Sequence, residues 1–135
     1  MIKAFVDSDI ISDALLRREP FYLPAINLLD LAHEGQIELC VSSVAFVNVN
    51  YFLLKASLTN RIELLLRLRS IMPVINVNES IIDLGLKSTF SDFEDAVQYY
   101  AAVSAKADYI ITRNTKDYTH SAIPVLTAEQ FLQTL

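Results

Sequence analysis

Six acidic residues of this 135-residue chain stand where chemistry is possible. Asp7 follows the apolar run Ile2-Lys3-Ala4-Phe5-Val6, and Asp9 comes two residues later. Asp92, Glu94 and Asp95 open the best helical pattern in the chain. Asp117 follows the run Asp108-Tyr109-Ile110-Ile111-Thr112 after the turn Arg113-Asn114-Thr115-Lys116. Carboxylates at strand ends and in a first helical turn are the ligands a hard divalent cation such as Mg²⁺ or Mn²⁺ prefers. Two carboxylates held close repel each other, and a cation between them removes that cost. Hydrolysis of a phosphodiester is the first chemistry to test against this pattern.

Each residue also has a simpler role. Asp7 is held at a rigid strand edge, as a ligand or else as a surface turn aspartate or an N-cap. Asp9 is well placed to cap a helix starting at Ile10, and it reads as a cap before it reads as a ligand. Asp92 and Asp95, three apart, share one helix face, where the positive end of the helix dipole already favours their ionised forms. Small residues behind Asp95 (Ala96, Val97, Ala101, Ala102) let the helix lie close to a sheet and set Asp95 at the lip of a cleft. Asp117 fits either a further ligand or a turn. Arg113 and Lys116 flank the mouth of the site, as phosphate contacts or as solvated turn charges. His33 and His120 are separated and unpaired with any cysteine, so zinc has no support.

The elements that must position these groups alternate. Strands are expected at 2–6, 37–41, 74–77, 108–112 and 124–126. Helices are expected from Ile10, over 22–34, from the Ser42-Ser43 cap to Lys55, over 59–71, 79–87 and 92–106, and after Thr127. That alternation predicts an α/β fold with parallel pairing and helices on both faces, which binds ligands beyond the carboxyl ends of its strands. A hydrophobic content of 53% fits one packed domain over residues 1–135. The net charge of −5 disfavours unassisted nucleic-acid binding, so an RNA partner needs cations or a local basic patch. With only Gly35 and Gly85, neither a Walker loop nor a dinucleotide fingerprint can be written. No apolar run is long enough to span a membrane. The opening residues lack a signal-peptide layout, and Cys40 is alone, which together point to the cytoplasm.

Three segments resemble the PIN domain, the small metal-dependent ribonuclease fold of VapC-type toxins. They are Phe5-Val6-Asp7-Ser8-Asp9-Ile10-Ile11, the acidic helix from Asp92 to Ala102, and Ala107 to Tyr118 with its Thr-Arg-Asn-x-Lys-Asp-aromatic turn. The resemblance implies a three-layer α/β/α fold with a central, mainly parallel sheet of four to five strands. It gives Asp7 and Asp95 the roles of core metal-binding aspartates, with Asp117 or Asp92 completing the coordination or orienting water. Asn48 and Asn114 stand where the family usually carries carboxylates, and they become neutral ligands. The implied activity is toxin-type endoribonuclease hydrolysis with Mg²⁺ or Mn²⁺, an RNA substrate, an antitoxin protein partner and a homodimer. The alternative is a PIN-fold binding module without catalysis, acting through a protein partner; the two asparagines motivate it.

Overall fold

The structure, a computed structural model, describes residues 1–135. Five strands form the sheet: β1 (Lys3–Val6), β2 (Glu38–Ser42), β3 (Val74–Ile75), β4 (Tyr109–Ile111) and β5 (Val125–Leu126). Seven helices accompany them: α1 (Ser8–Leu15), α2 (Tyr22–His33), α3 (Ser43–Lys55), α4 (Arg61–Ile71), α5 (Glu79–Leu86), α6 (Phe93–Ser104) and α7 (Ala128–Gln133). A short 3₁₀ turn covers Thr115–Tyr118. The strand order is β3-β2-β1-β4-β5, and every pairing is parallel. This is the three-layer α/β/α arrangement the alternation predicts.

Alternation along each strand divides the interior in two. Ala4, Val6, Leu39, Val41 and Ile111 face a large core completed by Ile11, Leu28, Val49, Leu53, Leu68 and Phe131 from α1, α2, α3, α4 and α7. Phe5, Cys40 and Ile110 face a smaller one completed by Ile81, Val97, Ala101 and Ala102 from α5 and α6. Because both faces are covered, the central strands are apolar at nearly every position. The alanines of α6 are fully buried and bring its backbone close to the sheet. α2 ends at Gly35, whose φ of +75° lets Gly35 N–H and Gln36 N–H donate back to Ala32 and Leu31 carbonyls. Asp108 accepts from Lys3 N–H at 2.9 Å and fixes the amino end of β1 beside β4.

Cys40 is 1% exposed, and burial pushes its thiol up to about 11. Its side chain is a packing group, inert to alkylation while the fold is intact. Iodoacetamide should leave native protein unlabelled by mass spectrometry and label it fully in guanidinium.

Two expectations are corrected at helix starts. α1 begins at Ser8, not at Ile10, and its cap is Asp7, which accepts from Ser8 N–H at 2.8 Å. Asp9 therefore lies inside the first turn and caps nothing. α6 begins at Phe93, with Asp92 outside the helix in extended conformation, accepting from Asp95 N–H at 3.1 Å. Sequence patterns place helix ends only to within a residue or two, because the cap residue shares the composition of the first turn.

Candidate active site

β1 lies at the centre of the sheet, and the strand order reverses between it and β4. A crevice opens beyond the carboxyl ends of strands at such a reversal. Asp7 leaves β1 there, and Thr112, Arg113 and Asn114 leave β4. The cavity at this point, about 370 Å³, is lined by Asp7 and Asp9 on one wall and by Asp92, Glu94 and Asp95 from the start of α6 on another. Ser8, Asp117, Asn114, Arg113, Arg18 and Phe52 complete the lining. Residues 7 and 95, far apart in sequence, thus share one pocket.

Asp7 is the most firmly held carboxylate. Its Oδ1 accepts from Ser8 N–H at 2.8 Å and from Gln98 Nε2 at 3.3 Å, and its Oδ2 accepts from Thr112 Oγ1 at 3.1 Å. Gln98 is itself fixed, because its Oε1 accepts a short hydrogen bond from Ser42 Oγ, which in turn caps α3 by accepting from Ala45 N–H. Gln98, Ser42 and Thr112 are all at most 2% exposed. A polar relay therefore runs under the sheet's carboxyl edge and sets the orientation of Asp7. Gln98→Ala strands Ser42 Oγ without its acceptor and should cost about 1–3 kcal/mol. Urea unfolding checks this; a loss within about 0.5 kcal/mol, the range of neutral surface changes, would show the relay to be structurally idle.

Asp9 turns towards the β4 exit. Its Oδ2 accepts from Arg113 N–H at 3.1 Å, while its Oδ1 is buried without any partner. Burial first, and Asp7 second, push its carboxyl up to about 6. Asp95 accepts no hydrogen bond from any side chain or backbone donor. Burial, then Asp92, Asp117, Asp7 and Glu94, push it up to about 7. These are carboxylates short of positive charge, with an unpartnered oxygen among them, and the oxygen donor set suits a hard divalent cation. No three His, Cys, Asp or Glu side chains already converge closely enough to hold an ion between them. Mg²⁺ commonly takes only one or two carboxylates and keeps several waters, which this looser arrangement fits.

The remaining predicted residues divide. Asp92, Asp117 and Asn114 line the cavity. Asn114 points its amide Nδ2 at Asp9 Oδ2, 3.5 Å away. Asn48 does not line it; its Nδ2 donates to Glu94 Oε1 at 3.0 Å and so braces a carboxylate that does. Lys116 is exposed, away from the cavity lining. Arg113 lines it, but its guanidinium is directed at the buried Asp13: Nη2 donates to Oδ1 at 3.1 Å and Nε lies 2.9 Å from Oδ2. The same guanidinium stacks over Phe21, 4.2 Å from the ring centroid. Neither Arg113 nor Arg18 pairs with Asp7 or Asp95.

Sequence reasoning missed Gln98, Thr112, Asp13, Arg18 and Tyr118. Gln98 left a signal, a lone polar residue on the apolar stripe of α6. So did Asp13, a charge among Ile10, Ile11 and Ala14 on the buried side of α1. Tyr118 is 3% exposed with an unpartnered hydroxyl, and burial together with the carboxylates of Asp7, Asp95, Asp9 and Asp117 pushes its phenol up, so it stays neutral.

A parallel sheet with a carboxylate-rich crevice at its reversal point defines a small α/β domain with one acidic site. Residues 3–116 match the PIN domain, and the chain belongs to that family. Among solved structures it is similar to a toxin–antitoxin complex from Klebsiella pneumoniae, at 25% identity and a TM-score of 0.68 over 93% of this chain and 97% of the other. It also resembles FitAcB from Neisseria gonorrhoeae (14%, TM-score 0.69, 93% and 98% covered) and VapBC2 from Rickettsia felis bound to a promoter DNA fragment (16%, 0.64, 93% and 97%). Among curated proteins none matches closely.

Proposed function

We propose that this PIN domain is a divalent-metal-dependent endoribonuclease of the toxin–antitoxin type. The observation that carries the reading is Asp95, a carboxylate with no donor of its own set among four others at the switch point of the sheet. Asp7 and Asp95 would hold Mg²⁺ or Mn²⁺, with Asp117 or Asp92 completing the coordination or orienting water and the carbonyl oxygen of a reoriented Asn114 amide as a neutral ligand. The bound ion would supply a nucleophile from water at neutral pH and offset charge on the attacked phosphate. The relay Ser42–Gln98, with Thr112, keeps the Asp7 oxygens aimed into the cavity. Asn48 steadies Glu94 at its edge.

The experiment is RNA cleavage by purified protein with Mn²⁺, beside Asp7→Asn, with Mn²⁺ binding followed by calorimetry. Asp7→Asn should lower cleavage on the order of 10²-fold or more. Cleavage unchanged in Asp7→Asn or in EDTA would defeat the mechanism. A second reading, a PIN module without catalysis, has one observation behind it: Asn48 and Asn114 both turn an amide N–H, not an oxygen, towards an acid. Absence of any Mn²⁺ heat in the unaltered protein would favour that reading.

The toxin-type reading includes an antitoxin partner, as in the complexes from Klebsiella and Rickettsia. The surface proposed for it is the groove where α1 and α2 meet α4, lined by Leu15, Ile26, Leu29, Leu64, Leu68 and Ile71. A homodimer acting in the cytoplasm belongs to the same reading, and light scattering on the isolated chain tests the dimer. No helix is long and apolar enough to cross a membrane.

A further inference from the structure

We infer that Arg18, in the loop between α1 and α2, is the side chain that takes a phosphate of single-stranded RNA at the rim of the acidic cavity. The inference rests on the ribonuclease reading above and moves the phosphate contact away from the turn after β4. There, Arg113 is engaged with both oxygens of Asp13 and stacked on Phe21, which leaves little of its guanidinium for a ligand.

Arg18 is placed differently. Its nearest contact to Asp13 is 3.8 Å, outside hydrogen-bond range, and Asp13 is already paired. Its side chain donates no hydrogen bond within the protein, yet it is 35% exposed and lines the same cavity as Asp7 and Asp95. The guanidinium lies over the Phe52 ring, 5.4 Å from the centroid, a cation–π contact that restrains the side chain beside the cavity. The backbone beneath it is pinned as well: Arg18 N–H donates to Asp13 carbonyl at 3.1 Å, and Phe21 N–H donates to Arg18 carbonyl at 2.9 Å. A planar guanidinium that donates no hydrogen bond within the protein, beside a pocket of carboxylates, suits bidentate capture of a phosphodiester. At a net charge of −5, a local cation such as this one favours RNA binding beside any bound metal.

The test measures anisotropy of a fluorescein-labelled single-stranded RNA of mixed sequence in Ca²⁺, at two salt concentrations, with Mn²⁺ calorimetry on the same samples. Arg18→Ala should weaken binding about tenfold and reduce the salt slope by about one ion. Arg18→Lys should recover part of the affinity, because the charge remains and the fork does not. Arg67→Ala, a surface arginine paired with Glu63, should bind as the unaltered protein does. Unchanged RNA affinity in Arg18→Ala overturns the assignment, as does absence of RNA binding by the unaltered protein. Should Arg18→Ala unfold, Arg18→Gln keeps the stem over Phe52 without the charge, and unchanged affinity there overturns it equally. Loss of the Mn²⁺ heat in unaltered protein defeats the metal-nuclease reading instead, whatever Arg18 does.

Discussion

Asp13→Ala is expected to lower the stability of the fold by about 3 kcal/mol, a fall in Tm of roughly 10 °C. Asp13 is fully buried on α1, and its two oxygens face the Arg113 guanidinium at 2.9 and 3.1 Å. Burial pushes its carboxyl up, while Arg113 and then Arg18 pull it down. Removing it leaves a cation against Phe21 with no counter-charge in a partly closed site. The expected loss sits at the low end of the usual ~3–5 kcal/mol because Arg113 is 32% exposed and can turn to water. Arg18→Ala provides the contrast: with a 3.8 Å contact and no hydrogen bond to Asp13, its loss should cost under ~1 kcal/mol. Thermal melts of both variants check the pair. Equal losses would mean that the two arginines share Asp13, and that Arg18 is a structural group.

Asp95→Asn is expected to stabilise the metal-free protein near neutral pH while removing the proposed RNA cleavage. The folded-state carboxyl is raised to about 7, above the ordinary value of 3.8, by burial first and then by Asp92, Asp117, Asp7 and Glu94. Below about pH 4 the group is protonated in both folded and unfolded chains and contributes nothing. As pH rises from there to about 7, the unfolded chain releases the proton and the folded one keeps it, so stability falls across that window. A shift of this size in a fully buried group corresponds to about 4 kcal/mol, and solvent screening at this partly exposed position reduces it to about 1–2. Asparagine carries no such penalty. In EDTA above about pH 7, Asp95→Asn should therefore melt higher than the unaltered protein, and near pH 4 the two should coincide. With Mn²⁺ the order should reverse, because a ligand that binds only the folded state raises its stability. RNA cleavage should drop on the order of 10²-fold or more. A variant less stable than the unaltered protein in EDTA at both pH values would show that Asp95 is a structural residue and the crowding of charge unimportant.

The chain's own order of residues determined a good deal. Short β-branched and apolar runs alternating with amphipathic stretches specify parallel strands and covering helices, because a strand buried on both faces must be apolar throughout. Asp7 and Asp95 were legible as candidates for one cleft for a local reason: each follows or opens an element whose direction the pattern reveals, and one cavity holds both. Helix caps were legible where a Ser or Thr stands before the apolar period, as at Ser42 and Thr127. They misled at Asp9, where two aspartates compete for one cap and only the backbone geometry chooses.

Side-chain partnerships across the sheet were decided by tertiary structure alone. Gln98 meets Asp7 and Ser42, Thr112 meets Asp7, Asn48 meets Glu94, and Arg113 meets Asp13, each across 46 residues or more. No local periodicity encodes such a pairing, because it depends on how helices rotate and lean once the core is packed. The same packing hydrogen-bonds Arg113 to a buried acid and leaves Arg18 3.8 Å from that acid without a hydrogen bond, a distinction two arginines in a sequence cannot express. Electrostatics follow the same rule: a carboxylate's pKa is set by its desolvation and by the charges folding brings near it.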